Sequence, residues 1–86
     1  MNAYDIIKHP LATEKAIRLM EAENKLVFVV SRKATKEQIK KAVAELFKSK
    51  VSAVNVHNTH KGVKRAYVTF AADTPAIDVA TDLGVL

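Results

Sequence analysis

The residues best suited to chemistry lie between Asn55 and Phe70, where the sequence NVHNTHKGVKRAYVTF contains basic, amide and aromatic side chains and no acidic one. Its alternation of apolar and polar residues predicts two strands joined by a tight turn, with Asn55, His57, Arg65 and Tyr67 on the outer face. An amide, an imidazole, a guanidinium and a phenol in one row suit the stacking and hydrogen bonding by which proteins recognise RNA. A half-solvated antiparallel sheet would also present polar residues there, and Tyr67 could equally lie under a C-terminal helix as part of the core.

Catalytic and metal-binding patterns have little support. His57 and His60 are close in sequence but straddle the predicted turn, and neither a cysteine nor a nearby carboxylate completes a metal shell. The two glycines, Gly62 and Gly84, form no phosphate-binding loop and no dinucleotide-binding motif. We therefore predict a protein that is not an enzyme, with no catalytic residues, no metal and no cofactor.

Positive charge is concentrated in the middle of the chain. The formal net charge is +5, yet residues 32–65 carry ten lysines and arginines against two glutamates, which gives +8 there and −3 for the flanks together. Segregated charge of this kind creates a local positive field and favours a polyanionic partner such as nucleic acid. A solvated helix face is the alternative explanation.

The chain has 86 residues, which predicts a single domain over 1–86. A domain of this size buries only about 60% of the surface of its unfolded chain, so a bound partner would add needed stability. The absence of cysteine fits a reducing cytoplasm. No apolar run approaches the roughly 20 residues of a membrane span, and no signal peptide is evident, so we expect a soluble cytoplasmic protein.

Local signals predict the elements that carry these residues. Residues 3–8 predict a short strand that stops at His9-Pro10, because a residue before proline favours extended geometry. Thr13 predicts the N-cap of a helix that runs to about Glu21. Residues 25–31 (KLVFVVS) form a continuous apolar run, which predicts a central strand.

The most secure element is a helix that begins after Thr35 and ends near Lys48. Thr35 and Gln38 form a capping box. The helix has a core-facing apolar stripe and leaves several lysines near solvent. The stripe consists of Ile39, Ala42, Val43, Leu46 and Phe47.

The strand pairing of the hairpin follows from its apolar alternation. A two-residue loop would place core residues opposite surface residues, whereas the three-residue loop His60-Lys61-Gly62, with Gly62 in the left-handed region, does not. The predicted pairs are Val54 with Val68, Asn55 with Tyr67, Val56 with Ala66, His57 with Arg65 and Thr59 with Val63.

Pro75 begins the last segment, which allows a short helix that Gly84 would end. Its apolar residues are Ile77, Val79, Ala80 and Leu83. The sequence therefore predicts an α+β fold with an antiparallel sheet of three to four strands and helices packed on it. The predicted order is (β)-α-β-α-β-β-(α), in which the terminal elements are short.

Three stretches in order resemble the L23 family of large-subunit ribosomal proteins. They are IIKHPLATEKA (6–16), NKLVFVVSRKATKEQIKKAVAELF (24–47) and VSAVNVHNTHKGVKRAYVTF (51–70). The resemblance covers nearly the whole chain, and the short hairpin and the tail AIDVATDLGVL are similar to archaeal members. The chain departs from the family pattern at Val63, where a third basic residue often precedes Lys64 and Arg65.

The resemblance implies a structural protein that binds large-subunit rRNA at the rim of the polypeptide exit tunnel, as a monomer among neighbouring ribosomal proteins. It implies no membrane insertion. It also implies that the signal recognition particle or other nascent-chain factors dock nearby, with Glu14 at the docking surface. A carboxylate in the first turn of a helix is equally explained by the helix dipole. The RNA contacts implied are Lys8, His9, Thr13, Lys15, Lys33, Lys36, Lys40, Asn55, His57, Asn58, Thr59, Lys61, Lys64, Arg65 and Tyr67.

Two other classes stay open. One is a free-standing RNA-binding module related to the RRM, whose strand–helix–strand–strand order residues 25–71 share. That module stacks bases on aromatic residues of two strands, and only Tyr67 and Phe28 are candidates here. The other is a regulatory α+β domain that binds a small molecule, for which the sequence shows no apolar or glycine-lined pocket.

Overall fold

The computed structural model describes residues 3–11, 13–59 and 61–82. The elements in chain order are α1 (Ala3–Ile6), β1 (Ile7–Pro10), α2 (Glu14–Glu23), β2 (Lys25–Val30), α3 (Lys36–Phe47), β3 (Val51–Asn58), β4 (Lys64–Phe70) and α4 (Ala76–Asp82). The strands form one antiparallel sheet in the order β1-β2-β4-β3, so β2 and β4 lie in its middle. The predicted α+β fold and the central position of β2 are confirmed.

The N-terminal segment differs from its prediction. Residues 3–8 were expected to form a strand, but residues 3–6 are helical and the strand spans Ile7–Pro10. Two tertiary contacts account for this: α1 packs against α3, and β1 pairs with the end of β2 through Ile7 and Val30. Pro10 closes the strand on the edge of the sheet, where the missing N–H of a proline is tolerated.

Both capped helices begin where the sequence predicts. The Thr13 hydroxyl accepts a hydrogen bond from the backbone N–H of Ala16 at 3.1 Å, and α2 continues two residues beyond the expected Glu21. The capping box of α3 is present in both directions. Thr35 Oγ1 accepts from the Gln38 N–H at 3.2 Å, and Gln38 Oε1 accepts from the Thr35 N–H at 3.0 Å.

The core lies between the helices and one face of the sheet, which we call the inner face. Its fully buried large side chains come from β2, α3 and β4, and are Phe28, Val30, Ile39, Val43 and Val68. At the rim of the core the ring of Phe47 stacks on Phe28, with centroids 5.5 Å apart. Aromatic stacking and apolar burial therefore fix the end of α3 on β2.

The predicted hairpin register is confirmed. Val54 pairs with Val68, Asn55 with Tyr67, Val56 with Ala66 and His57 with Arg65. The Thr59 N–H donates to the Val63 carbonyl at 2.9 Å, and Gly62 adopts φ +79°, a left-handed conformation that glycine adopts without strain. His60 lies outside the described residues.

The last helix is present and begins directly after Pro75, as predicted. Ala76, Val79 and Ala80 are buried, whereas Ile77 is half-exposed and contributes little to the core. The expected end at Leu83 and Gly84 lies outside the described residues. Across residues 3–11, 13–59 and 61–82, no helix has both the length and the apolar character needed to cross a bilayer.

Candidate nucleic-acid interface

The outer face of the sheet, opposite the core, carries two rows of paired residues that cross several strands, and each row combines polar side chains with one valine. Residues paired directly across antiparallel strands point to the same face. The first row consists of Val27, Tyr67 and Asn55. The second consists of His9, Val29, Arg65 and His57, and it crosses all four strands. The outward placement predicted for Asn55, His57, Arg65 and Tyr67 is thus confirmed, and the register adds His9 to their surface.

The start of α2 lies beside these rows. Thr13, Lys15 and Leu19 line a small hollow together with Arg65 and Tyr67. Tyr67 is half-buried there, so its ring lies next to α2 rather than under α4 as the alternative interpretation had it. The start of α2 and the strand β4 therefore form one surface, although about fifty residues of sequence separate them. The family resemblance assigns RNA contacts to both.

A wider hollow of about 400 Å³ lies at the hairpin turn. It is lined by His57, Asn58, Thr59, Lys61, Val63 and Arg65. The Thr59 hydroxyl accepts a hydrogen bond from the Val63 N–H at 3.2 Å, so its oxygen already stabilises the turn. The remaining polar side chains are a guanidinium, an ammonium, an imidazole and an amide, which are donors suited to phosphate and base oxygens.

By register Asn58 and Lys64 belong to the other face of the hairpin, although Asn58, at the end of β3, also lines the hollow at the turn. They pair with each other, and Lys64 also pairs with Val30, a core residue. The Lys64 ammonium donates a hydrogen bond to the backbone carbonyl of Ala34, in the loop that leads into α3. The structure therefore gives Lys64 an internal partner and does not place it in the outer rows with Arg65.

The remaining candidate lysines are dispersed. Lys33, Lys36 and Lys40 are exposed on the loop before α3 and along its first turns. Lys8 is exposed at an irregularity in the pairing of β1, between Ile7 and His9. Together with the outer rows they give basic groups on more than one side of the molecule rather than a single flat patch.

Within the described residues, the cations of the hairpin have no acidic partners. The three ion pairs found in the described part of the chain are Glu14–Arg18, Glu23–Lys25 and Lys50–Asp73. None of them includes a lysine or arginine of the outer rows or of the hairpin turn. The Nε atom of Arg65 is buried and makes no hydrogen bond within the described residues. A buried donor of this kind is costly to leave unsatisfied.

Glu14 is at the start of α2, as predicted. Its carboxylate accepts a hydrogen bond from Arg18 at 3.0 Å, and both side chains are largely exposed, at 83% and 77%. An exposed pair of this type contributes at most about 1 kcal/mol, so either group can exchange its partner for another.

Two features were missed by sequence reasoning. Arg32 was counted only within the basic stretch, yet it lies against the hairpin turn at Gly62. A groove of about 610 Å³ opens between β1, the end of α3 and the start of α4, and includes Phe28 and Phe47 in its lining. Neither follows from local pattern, because each depends on segments that meet only in the folded chain. Among the described residues, no group of three or more His, Cys, Asp or Glu side chains could hold a metal ion.

Comparison with known proteins identifies the family. The sequence profile described as Ribosomal protein L23 matches residues 5–77. The protein named Large ribosomal subunit protein uL23 is 48% identical in Methanococcus vannielii and in one strain of Methanococcus maripaludis, over 85 residues that cover 99% of this chain and 99% of each relative. In another Methanococcus maripaludis strain the identity is 46% over the same length. The chain therefore belongs to the ribosomal protein L23 family of the large subunit, in its archaeal type.

Proposed function

We propose that this chain is a structural component of the large ribosomal subunit that binds large-subunit rRNA through the outer face of its sheet. As a large-subunit ribosomal protein, it resides in the cytoplasmic ribosome. The observation that supports the RNA-binding role most strongly is the second outer row. That row places Arg65 directly beside His57 and brings His9 to the same face, on the far side of Val29. No acidic side chain is paired to Arg65 in the described part of the chain.

The proposed binding has two components with different physical origins. Exposed lysines such as Lys15 and Lys61 contact phosphates and release condensed counterions, so their contribution falls as salt rises. Asn55, His57 and Tyr67 contact bases, sugars and phosphates of a folded RNA surface and fix the position of the protein on it. The function is therefore recognition within an assembly, without catalytic turnover.

We place this protein at the rim of the polypeptide exit tunnel, among neighbouring ribosomal proteins, on the strength of the family resemblance. In the same proposal Glu14 belongs to the surface where the signal recognition particle or other nascent-chain factors dock. The exposed Glu14–Arg18 pair supports this assignment, because a docking cation can replace Arg18 at little cost.

The test is equilibrium binding of the purified chain to large-subunit rRNA over a salt series, with an unrelated folded RNA as competitor. We expect tight binding that survives the competitor. Both RNAs gain affinity from counterion release, but only the large-subunit rRNA offers the shape and the specific contacts that the protein recognises. Weak binding that is equal for both RNAs and lost at modest salt would leave only a basic surface, and would return a free-standing RNA-binding module as the better description.

A further inference from the structure

Arg32 lies on the hairpin turn although it belongs to a distant loop. A Cβ atom built on Gly62 would be 3.5 Å from Nη1 of Arg32 and 3.6 Å from its Cζ. The guanidinium therefore lies beside Gly62, at the place that a side chain would occupy there, while Arg32 as a whole remains exposed. Arg32 thus reaches the hairpin from the segment between β2 and α3.

The loop that carries Arg32 is held in place. Ala34 is buried, its N–H donates to the Ser31 carbonyl at 3.1 Å, and its carbonyl accepts from the Lys64 ammonium. These contacts hold the backbone of the loop that carries Arg32 beside the hairpin before any ligand arrives. Preorganisation of this kind reduces the entropy lost on binding.

Arg32 has no anionic partner in the described part of the chain, where all three ion pairs involve other residues. Its neighbours in sequence and space are themselves basic: Lys33 follows it, and Lys61 precedes the glycine that it covers. Like charges held close together repel one another and favour a bound anion that neutralises them.

We propose that Arg32 is a phosphate-binding residue that connects the lysines at the start of α3 to the hairpin turn, so that the two form one continuous RNA-binding surface. This inference rests on the proposed function and names a further contact within it. A guanidinium can donate two parallel hydrogen bonds to a phosphate, whereas an ammonium at the same place supplies charge without that geometry.

The experiment compares Arg32→Ala, Arg32→Lys and the control Lys50→Ala in binding to purified large-subunit rRNA across a salt series. Lys50 is exposed, is paired with Asp73 and precedes β3 at the end remote from the turn. Lys50→Ala lowers the net charge by one, as Arg32→Ala does, but at a site away from the proposed surface. We expect Arg32→Ala to weaken binding roughly 3- to 10-fold and to reduce the slope of log affinity against log salt by about 0.7–0.9, the value for one lost phosphate contact. Arg32→Lys should keep the slope and recover only part of the affinity. Lys50→Ala should change neither.

Two outcomes would overturn the proposal. In one, Arg32→Ala binds as the unaltered chain does, even if its thermal unfolding temperature falls, which would make Arg32 a structural residue only. In the other, Lys50→Ala has the same effect as Arg32→Ala, which would make the effect one of net charge. Failure of the proposed function itself gives a different result, because the unaltered chain would then not distinguish rRNA from the competitor.

Discussion

The side chain of Asn24 caps the last helix: its Oδ1 accepts a hydrogen bond from the backbone N–H of Ala76 at 2.6 Å. The amide nitrogen of the same side chain lies within 3.1–3.2 Å of the carbonyl oxygens of Phe70, Ala71 and Thr74. Asn24 also ends α2 in a left-handed conformation, with φ 57°. One residue thus closes α2, holds the segment after β4 and starts α4.

Replacing Asn24 should destabilise the fold. Asn24→Gly keeps the left-handed backbone and removes the side-chain hydrogen bonds, so we expect a loss of about 1–3 kcal/mol. Asn24→Ala should lose about 1 kcal/mol more, because alanine is strained in that conformation. Urea unfolding of the two variants beside the unaltered chain measures both effects. Equal stability of all three would show that the contacts of Asn24 contribute nothing.

Lys64 and Lys61 should separate stability from RNA binding. Lys64→Ala removes the hydrogen bond to the Ala34 carbonyl, and we expect it to lower the free energy of unfolding by about 1–2 kcal/mol. Lys61→Ala removes an exposed cation at the turn, and its effect on stability should stay within about 0.5 kcal/mol while rRNA affinity falls.

Lys64→Met is the control for the hydrogen bond, because it keeps the apolar stem of the side chain and removes the ammonium. Chemical denaturation and rRNA binding on the same preparations give both quantities. The assignment of Lys64 to an internal role fails if Lys61→Ala and Lys64→Ala destabilise the chain equally.

Adding a cation at Val63 should strengthen RNA binding. Val63 is partly exposed and lines the hollow at the hairpin turn with Lys61 and Arg65. We expect Val63→Lys to steepen the salt dependence of rRNA binding by about 0.7–0.9 in the log–log slope, since one more phosphate contact releases one more set of counterions.

The matched control for Val63→Lys is Ile77→Lys. Ile77 is an exposed apolar residue of α4, beyond the other end of β4, and its replacement adds the same charge. Its slope should match that of the unaltered chain. An equal increase in both variants would show that the hairpin hollow has no special role.

Much of the fold was predictable because its signals are local. The capping box at Thr35 involves residues three positions apart, and the hairpin register follows from the strict alternation of faces around Gly62. The N-terminal segment was not predictable in this way. Whether residues 3–6 form a helix or a strand depends on their packing against α3, and the pairing of Ile7 depends on Val30. Tertiary contacts therefore decide both.

The part of the candidate site that depends on local alternation was also predictable. Outward placement of Arg65 and Tyr67 follows from alternation, and the same alternation assigns Lys64 to the face of Ala66 and Val68. Grouping Lys64 with Arg65 by charge concealed that difference. The position of Arg32 on Gly62 requires the loop and the hairpin to meet, which no local pattern reveals.

The strand order has a consequence for how the chain folds. The two central strands, β2 and β4, are not consecutive, and their pairing joins Leu26 to Val68 across the whole of α3 and β3. Because the entropy of closing this long segment must be overcome before the pairing stabilises anything, folding should be slower than for a chain with local contacts alone. During synthesis, β2 emerges from the ribosome long before β4. Its apolar side chains therefore stay without this central partner strand until β4 has also emerged.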